Sequence, residues 1–166
     1  LSYPVQGLIL VHAANPAIFR QIGWTISRVL GYEVLLDWTA QPAKANSGRT
    51  ELIWSGSQHH GAHLTSALAG WTDIVFEVTQ DAFEGQTGSR WMYTPELGIR
   101  HRSIDELGNV VIGEVEMRSA LERAGSNALE LHREMQNLLA TPWDSELEPL
   151  RAAGADARVV WLYRAS

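Results

Sequence analysis

Val5-Gln6-Gly7-Leu8-Ile9-Leu10-Val11-His12-Ala13 is an apolar run with β-branched members that stops at Ala14-Asn15-Pro16, and its reading decides the fold. Apolar on both faces, it reads as a buried strand in a central position. A helix start follows, because Asn15 accepts from orphan N–H groups and Pro16 fits the first helical position. Ile18, Ile22, Ile26, Val29 and Leu30 recur at helical spacing, and Gly31 supplies the stop. Glu33 to Trp38 reads as a strand, Pro42–Gly48 as a polar loop and Thr50 to Trp54 as the returning strand, so the pair predicts a hairpin with a long tip. Leu64, Leu68 and Trp71 mark one face of a short helix. Asp73 to Val78 is then a strand, with Ile74, Phe76 and Val78 alternating against Val75, Glu77 and Thr79. Residues 1–80 therefore read β-α-β-β-α-β, a split βαβ or ferredoxin-like half.

Residues 88–166 read differently. Arg90–Tyr93 and Leu97–Ser103 are expected strands, Leu107-Gly108-Asn109 a turn, and Val110 to Met117 a further strand with Glu114 and Glu116 on one face. Ser126 is expected to cap a helix carrying Leu131, Met135, Leu138 and Leu139. Thr141-Pro142-Trp143-Asp144 has the cap, the early proline and the acid of another helix start, and Pro149 is expected to end or bend that helix. Arg158 to Arg164 is expected to close the chain as a strand. The fold class is thus α+β over residues 1–166 as one domain, an antiparallel-rich sheet with helices packed mainly on one face.

Composition narrows the function classes. The chain has 166 residues, 45% hydrophobic and 19% charged, which excludes a disordered tail, a collagen-like repeat and a coiled coil. Its net charge of −6 argues against a general binder of nucleic acid or anionic membranes. Without cysteine there is no disulfide, thiolate metal site or cysteine nucleophile. No stretch approaches a membrane span and no secretory signal is visible, so a cytoplasmic location is the default expectation.

Several constellations bear on chemistry. His59 and His63 are four apart, so on a helix their imidazoles share a face and could hold one metal, although Gly61 weakens a helix there. Gly56-Ser57-Gln58-His59-His60-Gly61 leads from a strand into a helix as a phosphate-cradling loop does, but Ala62 and His63 stand where a P-loop needs Lys and Ser/Thr. Asp37 lies in an otherwise apolar run, where an acid must find a partner or shift its pKa upward; with Glu51 and Glu77 it could supply a carboxylate pair. His12 is the accompanying candidate for acid–base work. Arg100 and Arg102 face Glu114 and Glu116 as cross-strand or diagonal ion pairs; alternatively His101 or an unpaired arginine such as Arg100 holds an anionic ligand. The seven tryptophans are expected to be mostly core, with Trp38, Trp54 and Trp91 as candidates to line a ligand groove. No organic cofactor is implied.

Asp37-Trp38-Thr39-Ala40-Gln41-Pro42, Tyr93-Thr94-Pro95-Glu96-Leu97-Gly98, Thr141-Pro142-Trp143-Asp144 through Leu147-Glu148-Pro149, and Val160-Trp161-Leu162 together resemble an actinobacterial family known only as domain of unknown function 3145. The resemblance spans nearly the whole chain and transfers no catalytic residue. It implies an actinobacterial, intracellular protein, in keeping with Lys44 as the lone lysine among thirteen basic residues. Members carry a Gly-Ala-Arg-Leu-like helix start where this chain has Gly61-Ala62-His63-Leu64, which implies that His63 is replaceable. The expected function is a noncatalytic binding or regulatory module for a small ligand or protein partner, with homodimerisation expected by fold-level analogy. The alternative is an enzyme built on Asp37 with His12, His59 or His63.

Overall fold

The run Val5–Ala14 forms strand β1, flanked on both sides in a sheet of seven strands among the described residues. The computed structural model describes residues 4–153. In chain order the elements are β1, a 3-10 turn Pro16–Ile18, α1 (Phe19–Leu30), β2 (Thr39–Ala40), β3 (Gly48–Gly56), α2 (His60–Leu68), β4 (Val75–Gln80), β5 (Gly88–Thr94), β6 (Gly98–Ile104), β7 (Val110–Val111), α3 (Glu114–Ala124), α4 (Ala128–Leu138) and α5 (Thr141–Ala152). The sheet order is β2-β3-β1-β4-β5-β6-β7 and every pairing among the described residues is antiparallel, so the architecture is α+β.

Local chemistry accounts for the boundaries near the sheet. Asn15 Oδ1 accepts from the Ala17 N–H at 2.9 Å, and Gly31, at φ 78°, ends α1 in a left-handed turn that suits glycine. Alternation along the strands sends side chains to two faces. Ile9, Val11, Phe76 and Val78 meet Ile22 and Ile26 of α1 and Leu64 and Leu68 of α2 in one apolar cluster. Val75 and Met92 point the other way and pack with Ala13, Ala140 and Leu147 of α5. Helices therefore cover both faces, not mainly one.

The extra residue in β1 is His12. Val11 opposes Phe76 and Ala13 opposes Val75, so two steps on β1 match one on β4. Such a bulge re-aims a side chain. Val11 consequently joins the α1–α2 cluster, whereas Ala13 joins the α5 cluster.

Three expected elements are corrected. Glu33–Trp38 is not a sheet strand: the sheet gains only Thr39 and Ala40. The segment instead returns along α1 as an extended strap. Val34 N–H donates to Ser27 Oγ at 3.0 Å, Leu36 lies beside Gly23, and Trp38 stacks on Phe19 with ring centres 3.7 Å apart. Val110–Met117 is likewise not one strand, because β7 stops at Val111 and α3 begins at Glu114. The Glu114/Glu116 alternation belongs to a helix's acidic first turn, where Glu116 Oε2 accepts from the Gly113 N–H at 3.1 Å. Pro149 does not end α5, which contains it and runs on to Ala152.

Smaller shifts concern the caps. Asn127, not Ser126, caps α4 through its side chain, and Ala140 rather than Thr141 occupies the cap position of α5. The short helix stops at Leu68, before Trp71. The strand expected at 158–164 lies outside the described residues.

Candidate functional site

The densest polar cluster is buried between the sheet and α5. Glu77, on β4, is 1% exposed and shares its face with Val75 and Thr79. Such a buried carboxylate is costly unless paired and hydrogen-bonded. Glu77 is paired on both oxygens. His12 Nε2 lies 2.6 Å from Oε2, Arg151 Nε donates to Oε2 at 3.0 Å, and Arg151 Nη2 donates to Oε1. Burial alone would raise the Glu77 pKa, but the His12 hydrogen bond and the His12 and Arg151 charges hold it far below the ordinary glutamate range.

Arg151 extends the network along α5. Its Nη1 donates to Asp144 Oδ1 at 3.0 Å. Burial would lower its pKa, yet the Glu77 and Asp144 carboxylates raise it above the ordinary arginine value. The result is an ion-paired clamp joining the bulge of β1, the middle of β4 and the last turns of α5.

Gln41 connects this clamp to the surface. Its Nε2 donates to the His12 carbonyl at 2.8 Å and the Leu150 carbonyl at 3.2 Å, while its Oε1 accepts from the Ala43 N–H at 3.0 Å. The Gln41 N–H also donates to Ser47 O at 2.8 Å, closing the loop between β2 and β3. A cleft of about 360 Å³ opens above it, between this loop and the Phe19–Trp38 stack, with Lys44 on its wall. That volume lies within the range of small-molecule sites.

The other candidates are dispersed. Asp37 is exposed on the strap, and its carboxylate has no ion pair among the described residues; its backbone carbonyl accepts from Thr50 Oγ1 at 2.7 Å. Glu51 is exposed on β3. His59 and His63 are exposed at the start of α2 with ring centres 6.4 Å apart. Among the described residues, no group of three or more His, Asp or Glu side chains is gathered as a metal site requires.

The glycine loop is packed from within. His60 Nδ1 accepts from the Ser57 N–H at 2.9 Å, and a Cβ on Gly56 would fall 2.0 Å from that nitrogen. A Cβ on Gly61 would fall 2.5 Å from the Trp91 ring, so close packing explains both glycines. Trp54 is buried in the α1–α2 cluster, and Trp91 is half-buried against His101. Of the three candidate tryptophans, Trp38 lines the cleft. Arg100 donates to the Asn137 carbonyl at 2.7 Å and lies over the Trp143 ring. Arg102 pairs with Glu116 as expected, at 2.8 Å, but across a strand–helix contact; Glu114 pairs with Arg118 instead.

The sequence profile of the family described as Protein of unknown function (DUF3145) matches residues 8–164. The chain belongs to this family. Neither the curated proteins nor the solved structures give a match. No described helix of this DUF3145 member is long and apolar enough to cross a membrane.

Within the DUF3145 chain, sequence reasoning brings up His12 and Glu77 without pairing them, and it misses Arg151, Asp144 and Gln41. The signal for the pairing is an acid at an inward position between Val75 and Thr79, which demands a buried counter-charge. Applied to Asp37, the same argument meets a residue whose side chain faces water. Arg151 sits in the last turn of a helix in local sequence, and nothing local marks it as buried.

Proposed function

We propose that this protein is a noncatalytic binding module whose ligand is a small planar organic anion held in the cleft above Gln41. The observation that carries this reading is the composition of that cleft: a stacked aromatic pair, Phe19 and Trp38, faces a loop bearing the chain's one lysine. Aromatic walls accept a flat ring, and the Lys44 ammonium supplies the complementary charge. The titratable pair best placed for proton chemistry, His12 and Glu77, is sealed by Arg151 beneath the cleft floor, which supports a binding role over a catalytic one. A ferredoxin-like first half belongs to the same reading, supported by the all-antiparallel order β2-β3-β1-β4. So do an actinobacterial origin, supported by the arginine-over-lysine bias, and a cytoplasmic location.

The test is a thermal-shift titration of the protein and its Lys44→Ala variant with aromatic carboxylates such as salicylate and with nucleoside monophosphates. One class is expected to raise the melting temperature saturably, with at least tenfold weaker apparent affinity in Lys44→Ala. Equal responses from both proteins, or none from the native chain, would remove the cleft as the site.

A further inference from the structure

The outer side of the α1–α2 layer carries a charge pattern opposite to that of the chain. There are 19 acidic residues, yet neither Pro16–Gly31 nor Gly56–Thr72 contains one. On α1 the inward stripe is Ile22, Thr25, Ile26 and Leu30. Arg20, Trp24 and Arg28 follow one another at four-residue steps on the other side and are all exposed. Trp24 is 64% exposed, with the Arg20 guanidinium 6.0 Å from its ring centre. Neither arginine forms an ion pair with a described residue, whereas Arg102, Arg118, Arg123, Arg133 and Arg151 all do. α2 packs alongside, with Trp71 Nε1 donating to Thr25 Oγ1 at 3.1 Å just beyond it, and adds exposed His59 and His63.

We propose that this face docks an acidic segment of a partner protein, with an apolar side chain of the partner on Trp24 and its carboxylates on Arg20 and Arg28. A large exposed indole gains by being covered, and unpaired guanidinium groups bind carboxylates bidentately. Four helical residues span about 6 Å, so the matching segment presents carboxylates about 12 Å apart with an apolar residue midway. A helix with acids at i and i+8 and leucine at i+4 has that geometry. The strap beside α1 adds Glu33 and Asp37, both exposed, and the chain as a whole is an anion. A polyanion covering a wide area meets repulsion there, whereas a narrow acidic segment confined to the arginine stripe does not. This surface is separate from the cleft at Trp38, and its test does not depend on that reading.

The experiment follows the Trp24 indole and the Arg20 and Arg28 Nε signals by NMR. The probe is a helical peptide with glutamate at i and i+8 and leucine at i+4. Saturable shifts at these three signals are expected, weakened by salt and at least tenfold weaker when glutamine replaces both glutamates of the peptide. The Arg20→Glu/Arg28→Glu variant is expected to melt as the native chain does, to lose the acidic peptide and to gain the peptide carrying lysine at both of those positions. Absence of saturation, or equal shifts with the glutamine peptide, would overturn the proposal. So would saturation of Trp24 only by single-stranded DNA or phosphatidylglycerol vesicles, or native self-association that the double variant abolishes.

Discussion

The two faces of the sheet are held by different physics. Toward α1 and α2, Ile9, Val11, Phe76 and Val78 close an apolar cluster with helix side chains, and removal of apolar area from water holds it together. On the other side β1 and β4 present His12 and Glu77 toward α5, with Arg90 of β5 and Arg102 of β6 also buried, beside a smaller apolar group around Met92 and Leu147. Adjacent residues of β4 separate the two cases: Phe76 points into the first layer and Glu77 into the second. A hydrophobic layer is insensitive to pH, whereas an ion-paired one depends on the protonation of its acid.

Glu77→Gln and Phe76→Ala sharpen that contrast with the largest effects. Each is expected to cost about 3–5 kcal/mol in urea unfolding, the first by leaving Arg151 without its buried counter-charge and the second by opening a cavity. Similar magnitudes would hide different causes. Hydrogen exchange separates them, because Glu77→Gln is expected to release α5 amides first and Phe76→Ala those of α1 and α2.

The apolar face is legible in the sequence because its spacing is local. Ile22, Ile26 and Leu30 on one helix, and Phe76 with Val78 on one strand, announce themselves by period. The polar face is not, since Arg151 meets Glu77 across 74 positions of sequence. Val34 to Trp38 misleads for a related reason: a short apolar run suits any extended segment, and here its partner is the side of α1 instead of a strand. At 114–117 the alternation of Glu and apolar residues imitates a strand, when both acids serve a helix N-terminus. The candidate cleft is half legible, Trp38 and the polar loop being visible in sequence and Gln41 beneath them not.

A middle-sized effect tests the link between clamp and cleft. Gln41→Ala removes the donor to the His12 and Leu150 carbonyls and the acceptor for the Ala43 N–H. A loss of about 1–3 kcal/mol is expected in urea unfolding, with faster amide exchange at residues 41–48. Undisturbed exchange there would detach the loop from the clamp. The smallest effect belongs to the exposed Glu114–Arg118 pair on α3. Glu114→Ala is expected to move the melting temperature by no more than about 1 °C by calorimetry, as surface pairs contribute little.

Acid unfolding probes the clamp most directly. A carboxyl held below its ordinary value stabilises the fold fully while pH exceeds the unfolded value, near 4.5, and that contribution fades as pH falls toward the folded value. Urea midpoints of the native chain and of Glu77→Gln, measured at pH 7 and pH 3, should therefore differ widely at neutrality and by clearly less at pH 3, where the unfolded carboxyl is protonated. A gap of the same size at both pH values would contradict the buried ion pair as the device that fastens α5 to the sheet.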